Sequence, residues 1–148
     1  MSLRSRILEA IKKGQIDEVE TMISTEPRGV RYLLGLVYRP EEEIREGAAK
    51  SIARASRHHP KLVKNIIERL VWAMKSDSGA NAQGAPVVLL AIAEEKPDLL
   101  LPIVPDLIHL GADTSLYQGL CDTLRAVVKR CPGKVGEKLS RELSGKSK

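Results

Sequence analysis

The chain has almost no aromatic residues. There is no phenylalanine in 148 residues, only one tryptophan and three tyrosines. Trp72, Tyr32, Tyr38 and Tyr117 are too few and too scattered to suggest a stacking platform for single-stranded nucleic acid. Cysteine is equally scarce. Cys121 and Cys131 stand ten residues apart, roughly 15 Å along a helix, which is too far for a disulfide. They are expected to be small semi-buried thiols, compatible with a reducing cytoplasm. No long hydrophobic run occurs: the longest, Ala85 to Ala93, contains Pro86 and is far too short to cross a bilayer. No apolar stretch follows the opening Met-Ser-Leu-Arg-Ser-Arg, so no secretory signal is expected. A glycine-rich phosphate loop and a G-x-S-x-G nucleophile motif are both missing, and no Cys/His spacing matches a metal ligand set. No segment alternates apolar and polar residues over a strand's length. These absences point away from an enzyme, a metal or cofactor site, a membrane span and a β-sheet.

What is present is a repeat. Gly47, Gly84 and Gly119 each stand 13 residues before a proline: Pro60, Pro97 and Pro132. With Pro27, the prolines open units of 33, 37 and 35 residues. Such periods signal stacked supersecondary units. Each unit reads as two apolar helices. Leu3, Ile7, Leu8 and Ile11 predict a helix over 3–13, stopped at Gly14. Ile16, Val19, Met22 and Ile23 predict a second, to about Thr25, and together these two are expected to cap the stack. Val30, Leu33, Leu34 and Val37 mark the next helix. Ile44, Ala48, Ile52 and Ala55 mark the one after Pro40, which should run to the His58–His59 pair. Aligning the units superposes Ala48, Ala85 and Leu120; Ile52, Leu89 and Leu124; and Ala55, Ile92 and Val127. These series should be core. Ile66 likewise matches Ile103, and Leu70 matches Leu107. Pro102 and Pro105 should bend or delay their helix. Val135, Leu139 and Leu143 predict a terminal helix after Pro132. The expectation is an all-α right-handed solenoid of about nine helices in a single domain, with caps at 1–26 and 132–148 and repeats at 27–59, 60–96 and 97–131.

The stretch Ile44-Arg45-Glu46-Gly47-Ala48-Ala49-Lys50-Ser51-Ile52-Ala53 resembles the second helix of HEAT repeats, especially the phycobilin-lyase-like kind. The units at 79–95 and 114–131 keep part of the pattern, with Ala82-Gln83 and Leu116-Tyr117-Gln118 at the aliphatic–Arg position. The resemblance covers about residues 27–143. It implies a binding scaffold whose second helices line a concave face, and says little about the partner.

Charge is unevenly spread over the net +5. Residues 1–77 carry 15 Lys/Arg and 11 Asp/Glu, residues 78–113 carry 1 and 5, and residues 114–148 carry 8 and 3. A continuous nucleic-acid groove should not turn acidic in the middle. The remaining candidates have bland readings. Adjacent histidines point about 100° apart on a helix, so His58 and His59 suit the helix dipole rather than one metal. Trp72 and His109, opposite each other in the alignment, are expected to be packing or inter-unit contacts. Gly47, Gly84 and Gly119 are expected to permit close helix approach.

The predicted binding surface is the side of each second helix away from its core series. It carries Glu46, Lys50, Ala53 and Arg57; then Gln83, Val87, Leu90 and Glu94; then Gln118, Asp122, Arg125 and Lys129. Val87 and Leu90 place aliphatic side chains where the other units are polar, and charges rim them. The site is therefore Lys50, Arg54, Arg57, Gln83, Val87, Leu90, Ala91, Arg125 and Lys129. It should receive an apolar, partly acidic segment of another protein, on a chain that is monomeric or weakly dimeric. Two rival functions are nucleic-acid binding, as in helical-repeat DNA-repair proteins, and a lyase-like or ligand-handling accessory role.

Overall fold

The computed structural model describes residues 2–76, 84–110 and 117–131. Among the described residues there are eight α-helices, one 3₁₀ helix and no strand. The α-helices are α1 (Leu3–Lys12), α2 (Ile16–Thr25), α3 (Gly29–Leu36), α4 (Glu42–Ala55), α5 (Pro60–Ser76), α6 (Ala85–Glu95), α7 (Val104–Leu110) and α8 (Tyr117–Arg130). The terminal helix expected after Pro132 lies outside the described residues.

Local chemistry accounts for most boundaries. Ser2 caps α1 by accepting a hydrogen bond from the Ser5 amide at 3.2 Å. Gly14 ends it with φ of 72°, a left-handed conformation that needs no Cβ. Asp17 and Glu18 sit in the first turn of α2, and Glu42 and Glu43 in that of α4, where the helix dipole favours acids. Pro60 opens α5, whose first position has no amide partner to lose. The expected disruption at Pro102 and Pro105 takes a definite form. Pro97–Ile103 is a 3₁₀ helix containing Pro102, and the α-helix starts only at Val104. α4 is shorter than expected, ending at Ala55, with Ser56–His58 in a turn.

α6 lies against both α4 and α8, while α5 packs on α4, α6 and α7. At the N-terminal end α4 is also covered by α1, α2 and α3. α6 is apolar around most of its circumference, which suits a helix with neighbours on several sides. The three aligned core series are buried throughout, from Ala48, Ile52 and Ala55 to Leu120, Leu124 and Val127.

The aligned glycines each receive a side chain. A Cβ on Gly47 would come within 2.7 Å of Ile11 Cγ2, one on Gly84 within 3.0 Å of the Tyr38 ring, and one on Gly119 within 2.5 Å of Pro86 Cβ. Close approach is what these positions provide. Two hydroxyls, Ser51 Oγ and Thr123 Oγ1, donate to the carbonyls of Gly47 and Gly119 at 2.8 and 2.9 Å. Folding back onto their own helices satisfies them inside the core.

Candidate functional site

Eight of the nine site residues expected from sequence are described, seven on α4, α6 and α8 and Arg57 in the turn after α4; Gln83 lies outside the described residues. Lys50, Arg57, Arg125 and Lys129 are exposed. Val87, Leu90 and Ala91 are half-buried, with Val87 and Ala91 packed against the core. Ala53, assigned by sequence to this outer face, is only 2% exposed. The helices covering α4 include α1 and α2, so its buried arc is wider than that of a helix flanked on two sides, and an alanine at its edge is enclosed.

Two of the expected binding cations are engaged within the chain. Arg54 Nη1 bonds the Asp17 carboxylate and lies 3.6 Å from Glu20 Oε1. Arg57 reaches Glu20 Oε1 at 3.6 Å and also pairs with Glu95. His58 Nε2 meets the other Glu20 oxygen at 3.0 Å. One half-buried carboxylate on α2 thus faces three groups from α4 and the turn after it. Glu95 extends the network to α6. His59 Nε2 stands 3.0 Å from the Ile23 carbonyl, which can only accept, so this nitrogen carries the proton. The histidine pair therefore fastens the end of α4 to α2. These partners lie 36 to 38 residues away, beyond what helical periodicity registers. Lys50 and Lys129 make no ion pair among the described residues; Arg125 has Asp122 at 3.9 Å.

Two groups near the α3–α4 connection titrate abnormally. The hydrogen bond from Arg39, 2.8 Å long, holds the Glu41 carboxyl below its ordinary value. Burial pushes the Tyr38 hydroxyl above its own.

A second surface was missed. Trp72, expected to be a packing or inter-unit contact, is 70% exposed, and His109 is exposed too. Trp72 edges an open groove of about 450 Å³ between α3 and α5, where Leu34, Leu62 and Ile66 provide the apolar wall and Arg31 and Arg69 the charge. The geometric cause is length. The eight residues of α3 span about 12 Å, whereas the 17 of α5 span about 25 Å, so α3 cannot cover the later turns of α5. The sequence did hold a signal: Trp72 shares a helical stripe with Lys61, Asn65 and Glu68, all exposed.

Arg31 also lines an adjoining cleft of about 640 Å³ between α1 and α3, with Arg4, Arg28 and Tyr32. The Arg4 guanidinium sits 5.9 Å over the Tyr32 ring. Among the described residues, no cluster of three His, Cys, Asp or Glu could hold a metal, and no helix is long and apolar enough to cross a membrane.

No family model matches this chain, and neither does any curated protein or solved structure.

Proposed function

We propose that this chain is a short HEAT-like α-solenoid acting as a non-enzymatic scaffold, which receives a segment of another protein across α4, α6 and α8. The observation that carries the reading is the half-buried aliphatic group Val87, Leu90 and Ala91 on α6, a helix packed between α4, which carries exposed Lys50, and α8, which carries exposed Arg125 and Lys129. An incompletely covered apolar centre with a charged rim suits the anatomy of a protein interface. Support for the solenoid comes from the order of contacts, since α4, α6 and α8, one from each expected unit, are successive neighbours. The Glu20 network favours a protein partner over nucleic acid, because Arg54 and Arg57 already answer carboxylates and are withdrawn from phosphate.

The test compares immobilised wild type with Val87→Glu in native extract. The substitution is expected to abolish retention of a specific protein while the helical circular-dichroism signal and melting temperature stay close to wild type. Identical retention by both, or unfolding of the variant, would refute the assignment of this surface.

A further inference from the structure

We infer that the α3–α5 face is a second binding surface, and that it takes an acidic helical segment of another protein whose aliphatic side chains lie against Trp72. It shares no residue with the α6 surface and does not depend on it.

Trp72 is the most exposed large apolar side chain described, and it borders a concavity rather than open surface. Leu34 and Leu62 are half-buried beside it, so an entering side chain would find an apolar wall on two helices. Charge selects the sign of the guest. Arg31 and Arg69 line the groove, are exposed and make no ion pair among the described residues. Arg4 and Arg28 continue the positive strip through the adjoining cleft. The two concavities are thus lined by four cations, Arg4, Arg28, Arg31 and Arg69, and by one acid, Glu68, while Arg28 has Glu26 at 3.3 Å. A carboxylate-rich guest answers that excess; a neutral or basic one does not.

Other occupants fit less well. Residues 132–148 of this chain hold five Lys/Arg and two Glu, the wrong sign to fold back here. A single nucleic-acid strand would have to stack its bases on Trp72 alone, since Arg4 already faces Tyr32, and would pass the Glu68 carboxylate. An amphipathic helix laid along the 17 residues of α5 meets both requirements, with leucines toward the groove and glutamates toward the arginines.

The single tryptophan makes the test direct. Intrinsic fluorescence is followed while full-length protein is titrated with a synthetic Leu/Glu peptide of about 16 residues, roughly 24 Å as a helix. Its leucines fall at i, i+3, i+4 and i+7. The expected result is a blue shift of Trp72 emission with protection from iodide quenching. The affinity should fall steeply as salt rises from about 20 to about 500 mM. In the double variant Arg31→Glu/Arg69→Glu it should drop at least about tenfold, the effect of two reversed rim charges, with the helical signal unchanged. Val87→Glu should bind the peptide as wild type does, which separates failure of the α6 site from failure of this one. The inference is overturned by any of three results: no response at low salt, an equal response to a control peptide with lysine in place of every glutamate, or tighter binding of a single-stranded oligonucleotide or of anionic phospholipid vesicles.

Discussion

Alanine placed at two different helical glycines should move stability in opposite directions. Gly35 lies in the last turn of α3, and a Cβ there would meet nothing within 4 Å. Gly35→Ala therefore gains the helix propensity of alanine without a steric cost, about 0.5–1 kcal/mol. Gly119 lies in α8, and its Cβ would stand 2.5 Å from Pro86 Cβ, against the 3.5–4 Å of ordinary carbon contact. A proline ring in the first turn of α6 has no rotamer to swing away, so α8 must shift by about 1 Å. A gap of that size forfeits a quarter to a half of the dispersion energy along the contact. Overpacking of this kind costs about 1–3 kcal/mol, offset by the same propensity gain, for a net loss of about 1–2 kcal/mol. The two variants should thus differ by about 1.5–3 kcal/mol, or some 5–10 °C in melting temperature for a chain of this size. Urea unfolding followed by circular dichroism measures both. If Gly119→Ala proves as stabilising as Gly35→Ala, α6 and α8 do not meet as described.

Leu89 is fully buried, and Leu89→Ala should cost about 2–5 kcal/mol in urea unfolding; a loss under about 0.5 kcal/mol would contradict its place in the core. Removing residues 1–26 takes away the buried Ile7, Ile11, Val19 and Ile23 and strips Arg54, Arg57 and His58 of their α2 partners. The truncated chain should associate on size-exclusion chromatography, whereas an equally stable monomer would show that these helices cover nothing. Glu41 should titrate below an ordinary glutamate by NMR, because ionisation is favoured in the folded state. Its contribution to stability is therefore complete above the ordinary glutamate value and disappears as pH falls through the depressed one, and Arg39→Ala should restore ordinary titration.

The spacing of prolines and glycines in the sequence carried the helix starts, because each residue acts within one or two turns of itself. Leu3–Lys12 and Ile16–Thr25 match the expected first two helices to within a residue. The series 48/52/55, 85/89/92 and 120/124/127 lies wholly in the core, since stacked helices share a period. The site was less legible. Lys50 and Lys129 are exposed and Val87, Leu90 and Ala91 half-buried, whereas Ala53, put on the same face by the helical wheel, is enclosed. The wheel could not show that Arg54 and Arg57 turn to carboxylates on α2 and α6, because those pairings depend on how distant helices meet. The exposure of Trp72 was not legible for a related reason. Its type suggests burial, but its exposure follows from the short α3 beside the long α5.

The glycine contacts act as detents. Ile11, Tyr38 and Pro86 each sit like a tooth in a notch cut by Gly47, Gly84 or Gly119. Apolar surface alone is non-directional and would let one helix creep along another at little cost. A tooth in a notch forbids that, since sliding α8 by one turn brings Thr123, four residues on and on the same face as Gly119, under the Pro86 ring. Each contact thus fixes how far one helix sits along another, α4 on α1, α6 on the α3–α4 connection and α8 on α6.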